Sequence, residues 1–117
     1  MSAQKILTIK SFPSGPIYVK LGDNLTLDVT YNYTGSAGVS VEWSKGAVVL
    51  VRKSANGVII SSNKRYFVKG EASLGITNTE LNDNGAFKIS LSAGDIFRVP
   101  ETRSLIVIVA GTFFFLR

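Results

Sequence analysis

The chain has eight carboxylates and thirteen Lys or Arg residues, and it contains neither histidine nor cysteine. That composition removes an imidazole base, a thiolate nucleophile and the usual Cys/His zinc site. Paired carboxylates would be the remaining acid–base chemistry. Asp23, Asp28, Glu42, Glu71, Glu80, Asp83, Asp95 and Glu101 are instead scattered over turns and polar positions. Solvated strand faces are the favoured reading, so no catalytic residue, cofactor or enzymatic activity is expected. Asn82-Asp83-Asn84-Gly85 has the start of a calcium loop but lacks the further ligands and the closing Glu, so no metal is expected. Gly35 and Gly38 frame no phosphate loop, because no helix follows them. The formal charge of +5 is spread out with no run longer than two, which favours an ordinary basic surface over a nucleic-acid site. Asn24-Leu25-Thr26 and Asn32-Tyr33-Thr34 are N-glycosylation sequons.

The elements that would carry these residues are short strands. With 117 residues, 45% of them apolar, the chain has enough for one domain with a real core. Leu25, Leu27, Val29 and Tyr31 alternate with polar neighbours, as do Val39, Val41 and Trp43, then Leu74 and Ile76, then Phe87, Ile89 and Leu91, then Leu105, Val107 and Val109. Period-two alternation puts one side of each strand in a core. Pro13-Ser14-Gly15-Pro16 interrupts a first strand that restarts at Ile17, Val19 and Leu21. Ala47–Val51 reads as a continuous apolar strand, Val58–Ile60 as a possible further one, and Arg65–Val68 as the opening of another. Asn82–Gly85 turns the chain between two strands. About nine strands with a turn every ~8–12 residues predict an all-β, two-sheet sandwich.

The spacing L-x-I-x-x-x-x-L-x-D-x-G-x-F-x-I from Leu74 to Ile89 resembles strands E and F of a V-set immunoglobulin domain, with the corner between them. Gly22-Asp23-Asn24-Leu25-Thr26-Leu27-Asp28-Val29 is similar to the family's strand B, and Glu42-Trp43-Ser44-Lys45-Gly46 to its strand C. The resemblance covers residues 6–109, and residues 1–110 are assigned to the domain. It implies an immunoglobulin-like β-sandwich of V-set type without the inter-sheet disulfide. Val29 and Ile89 stand at the two cysteine positions, and Phe87 stands where a tyrosine usually forms the E–F corner bond. Val29, Trp43, Leu74, Phe87 and Ile89 would form the core. Burying Val29 and Ile89 is worth ~1.5–3 kcal/mol each, against ~2–5 kcal/mol for a native bridge; the magnitudes overlap, so loss of the bridge need not unfold the domain. The family also implies a pair between Arg65 and Asp83. Strand G lacks the Gly-x-Gly bulge of antigen-receptor domains.

Adhesion V domains of this type bind another V domain through the sheet of strands G, F, C and C′. The corner from Asp83 to Phe87 resembles that of the myelin-protein-zero type. The departures from the usual residues resemble the first domains of colonial hydroid allorecognition receptors. What the resemblance implies is an extracellular, cell-surface recognition domain that binds the same protein on an opposing cell. Its binding face would carry Glu42, Ser44, Lys88 and Ser90, with Asp95, Phe97 and Arg98 from the F–G loop, and Glu42 and Lys88 would be a complementary pair within the face or across a two-fold interface. Asn24 and Asn32 would carry glycans. A structural immunoglobulin-like module of a virus or filament, or a binder of sulfated glycans, are the alternatives.

No charged n-region followed by an apolar h-region opens the chain, so no signal peptide is expected in it. Leu105–Leu116 is apolar but shorter than the ~20 residues a membrane helix needs, so no membrane insertion by this segment is expected. Residues 111–117 form an apolar tail. Its Phe113-Phe114-Phe115-Leu116 run could start a second domain, belong to a membrane-proximal segment, or dock on a neighbour. A boundary leading to more protein is favoured.

Overall fold

A computed structural model describes residues 5–97 and 100–111. Its eleven strands are β1 (Leu7–Ser11), β2 (Ile17–Lys20), β3 (Leu25–Leu27), β4 (Thr30–Tyr33), β5 (Val39–Lys45), β6 (Val48–Lys53), β7 (Ile59–Ser61), β8 (Tyr66–Lys69), β9 (Ser73–Ile76), β10 (Gly85–Ala93) and β11 (Glu101–Ala110). One 3-10 turn, Leu81–Asp83, lies between β9 and β10.

The front sheet has the order β2-β11-β10-β5-β6-β7. Behind it, β3-β9-β8 and the β1-β4 pair form the second layer. The proline-broken first segment changes layer: β1 pairs antiparallel with β4, whereas β2 pairs parallel with β11. In strand letters β1 and β2 are A and A′, β3 and β4 are B, β5 to β7 are C, C′ and C″, and β8 to β11 are D to G. The fold is an immunoglobulin-like V-type sandwich.

Eleven strands rather than nine result from two splits. The first is A/A′. The second cuts the alternating run Leu25–Tyr31, because β3 pairs with β9 and β4 with β1. At the changeover, Ser73 Oγ accepts a hydrogen bond from Val29 N–H at 2.9 Å in place of a ladder bond. β6 also departs from the expected Ala47–Val51. A bulge opposite Trp43 and Ser44 skips one residue, so Leu50 and Val51 are both buried, as two adjacent residues at a bulge can be. Strand G runs in unbroken register with strand F from Glu101 to Val107.

Val29, Trp43, Leu74, Phe87 and Ile89 are all buried in one cluster. Trp43 lies directly opposite Ile89, stacks on Phe12 with ring centroids 6.3 Å apart, and donates from Nε1 to Ala72 O at 2.8 Å. Aromatic stacking and a satisfied indole therefore stand where the bridge would sit. Gly75 is buried because the Phe67 ring lies across it; a Cβ there would fall 2.2 Å from that ring.

Candidate interaction face

Alternation and register decide which side chains the front sheet shows. One cross-strand row reads Thr102, Ser90, Glu42, Arg52 and Ile60. The next reads Ser104, Lys88, Ser44 and Val49. The centre is thus a field of short hydroxyl side chains around one ion pair. A shallow groove of about 390 Å³ opens there, lined by Ser40, Val41, Glu42, Arg52, Ser90, Ser92 and Pro100.

Glu42 pairs with Arg52 and not with Lys88. Oε1 of Glu42 accepts from Arg52 Nε at 3.1 Å and from Nη2 at 2.7 Å. The reason is register: Glu42 stands opposite Arg52 on one side and Ser90 on the other, while Lys88 stands opposite Ser44. Among the described residues Lys88 is exposed and has no carboxylate within salt-bridge distance. Ser44 belongs to this face but is only 6% exposed. Its short side chain sits between Lys88 and Val49, the directly opposite residues, at the closest cross-strand spacing. It offers a partner little surface.

The F–G loop divides its residues. Phe97 projects into solvent, 94% exposed, and so does not close the end of the sandwich. Asp95, expected to face outward, turns inward to hold the B–C loop. Tyr33 donates its hydroxyl to Oδ1 at 2.6 Å, and Ser36 N–H donates to Oδ2 at 2.9 Å. Lys5 Nζ lies 3.6 Å from Oδ2. Tyr33 first, then the Ser36 amide, hold the Asp95 pKa down at about 2. Arg98 and the 113–116 run lie outside the described residues.

At the other end of β10, Arg65 Nη1 donates to Asp83 Oδ2 at 2.8 Å and Nη2 to Oδ1 at 3.2 Å. Tyr66 also donates its hydroxyl to Asp83, and Glu80 N–H donates to Oδ2 at 2.7 Å. Burial by itself would raise the Asp83 pKa; the bonds from Arg65 and Tyr66 outweigh it and hold the carboxyl below its ordinary value. Burial first, and then the bond to Asp83, push Tyr66 up to about 12.

Sequence reasoning did not single out Asn84. Its Nδ2 donates to Val109 O at 3.0 Å while its Oδ1 accepts from Val109 N–H at 2.7 Å. One side-chain amide thus pairs strand G as a neighbouring backbone would, where a tyrosine corner is missing. The Asn-rich turn was visible, but its partner lies 25 residues on. Arg52 and Tyr33 also went unassigned; only the strand register could have exposed them.

Asn24 and Asn32 are both exposed, on or beside the back-layer strands β3 and β4 and away from the groove. Asn24 Oδ1 accepts from Asn78 N–H at 3.0 Å. Among the described residues no group of three His, Cys, Asp or Glu is placed to hold a metal ion. No described helix is long and apolar enough to cross a membrane.

No protein-family model matches the chain, and no curated protein matches it with significance. Solved structures do. Domain 1 of VCBP3 from Branchiostoma floridae superposes with a TM-score of 0.69 at 16% identity, over 93% of this chain and 98% of that one. The domains of VCBP3 are described as V-type regions of a chitin-binding protein. A voltage-gated sodium channel beta subunit, described in the context of multimeric cell-adhesive interactions, gives 0.69 at 14% identity over 82% of this chain and 91% of its own. Extracellular domains 3–5 of Drosophila OTK give 0.65 at 15% identity over 89% of this chain; the match spans 31% of the OTK chain.

Proposed function

We propose that the chain is an extracellular recognition domain of a cell-surface protein, binding a second copy on an opposing cell through its G-F-C-C′ face, in adhesion or allorecognition. The observation that carries this reading is the groove over Ser40, Glu42, Arg52, Ser90 and Ser92. Among the described residues it lies at the middle of an open sheet face, floored by small side chains that let another surface approach closely. The Glu42–Arg52 pair supplies both signs of charge within the face. A two-fold-related copy could therefore meet each charge with its opposite, the self-complementarity that an isologous contact requires. Phe97 stands beside this area as an exposed aromatic anchor. Both sequons are on or beside the other layer, so glycans there would leave the groove clear. Folds of this kind in proteins described as adhesive support the reading by analogy. The paired state of Arg52 disfavours a sulfated-glycan site at the groove, because its charge is already neutralised.

The test is clustering of two bead populations, both coated with the domain. Clustering is expected, and Ser90→Arg, which fills the groove, should abolish it, while Lys88→Glu should weaken it. Beads that never cluster, or that cluster equally with Ser90→Arg, would refute the face as a homophilic site.

A further inference from the structure

Among the described residues β7 is the last strand of the front sheet, and its outer edge has no neighbouring strand. Val58, Ile59 and Ile60 are 56%, 50% and 67% exposed. From Ser54 to Asn63 there is no charge and no proline. Charge and proline are two of the devices that protect natural edge strands. This edge has neither, and keeps only the shortness of a three-residue strand.

The hydrogen-bond phase shows what the edge offers. Ser54 N–H donates to Val58 O at 2.8 Å, and Ser62 N–H donates to Leu50 O at 2.9 Å. The narrow pairs of the β6–β7 ladder therefore fall on Val58, Ile60 and Ser62. Ile59 and Ser61 occupy the wide pairs opposite Lys53 and Val51. In an antiparallel ladder the backbone groups of wide-pair residues point away from the partner strand. The N–H and C=O of Ile59 and Ser61 thus face outward, and among the described residues no hydrogen bond to them is seen beyond that ladder.

We infer that β7 is a second interface, at which two copies of this chain pair edge to edge and antiparallel about a two-fold axis at Ile60. In that register Ile59 opposes the partner's Ser61 and Ser61 opposes the partner's Ile59. Four backbone hydrogen bonds form between groups that the fold leaves open. Ile60 meets its own copy in a wide pair, where side chains approach most closely. A second copy suits this edge better than an unrelated strand for two reasons. The open groups are self-complementary about a single residue. The segment is also uncharged on a chain of formal charge +5, so two like-charged molecules can meet there without opposing cations; Lys64 would fall opposite Asn56. The two front sheets would then lie side by side, with both grooves facing the same way and still uncovered. This contact is lateral, independent of the face-to-face reading above, and small enough for the weak, transient class.

The absence of cysteine gives a direct test. Under mild oxidation Ile60→Cys should form a disulfide-linked dimer at least ~10-fold faster than Leu81→Cys, because a wide antiparallel pair holds its Cα atoms about 4.5 Å apart, within disulfide reach. Leu81 is a comparably exposed control at the far corner. Equal rates would overturn the inference. In sedimentation of the Ser90→Arg chain, which lacks the groove contact, concentration-dependent self-association should persist and should be lost when Ile60→Lys is added. A Ser90→Arg chain that stays strictly monomeric would also overturn the inference.

Discussion

Two aspartates stand at the two ends of β10, and both accept a tyrosine hydroxyl, yet they hold the molecule differently. Asp83 is fully buried and paired with an arginine whose side chain is 15% exposed. It ties strands D, E and F together at the corner. Asp95 is 14% exposed and is met chiefly by Tyr33 and by backbone amides of the B–C loop, with Lys5 at its rim. It ties two loops together beside the candidate face. A buried carboxylate with an arginine is a structural fixture, because removing one partner strands the other charge. A carboxylate met by loop amides shapes a surface, and losing it lets loops move while the sandwich persists.

The contrast can be broken first at Asp83. Asp83→Ala leaves Arg65 and the Tyr66 hydroxyl without their shared acceptor and should cost ~3–5 kcal/mol in urea denaturation. A loss below ~1 kcal/mol would mean that the corner is no stronger than a surface pair. Next is Asn84→Ala, which removes both bonds to Val109 and should cost ~1–3 kcal/mol. Hydrogen exchange at the Val109 amide should rise with it. Asp95→Ala should lower the melting temperature less than either, while removing the exchange protection of the Ser36 amide, whose acceptor it is at 2.9 Å. Gly35→Ala should copy that local effect, since its Cβ would fall 2.3 Å from Asp95 Oδ2. If Asp95→Ala unfolds the domain instead, the distinction between fixture and loop tie is wrong.

The smallest expected effects are in pH. Asp95 has a folded pKa of about 2 against an ordinary 3.8. Its contribution is therefore complete above the unfolded value and is lost as pH falls from near 4 through 2. Asp95→Asn should flatten that part of an acid-denaturation curve. Tyr66 is raised from 10.0 to about 12. Its contribution is complete below 10 and is lost as pH rises through 12, so Tyr66→Phe should flatten the alkaline limb, and by removing one bond that holds Asp83 down it should also weaken the acid one.

The same pair of aspartates marks how far the sequence could be read. The Arg65–Asp83 pair was legible because the resemblance to V-set domains implies it. The inward turn of Asp95 was not, because its partners come from a loop some sixty residues earlier. Glu42 was placed on the front sheet by alternation, but its partner within that sheet was not legible, since only register puts Arg52 opposite it. Ser44 was placed on that face by the same alternation, yet its two neighbours shade it.

Taken alone, the sequence determined a two-sheet sandwich and the core led by Trp43, and its motifs carried the resemblance to V-type domains. The sandwich and its core follow from period-two patterning, which is a local property of each strand. Tertiary structure alone decided which charges meet, where the groove opens, that Asn84 clamps strand G, and that β7 ends its sheet with open backbone groups. Each of these depends on how strands far apart in the chain align, and hydrogen-bond register between strands is not encoded within any single one of them.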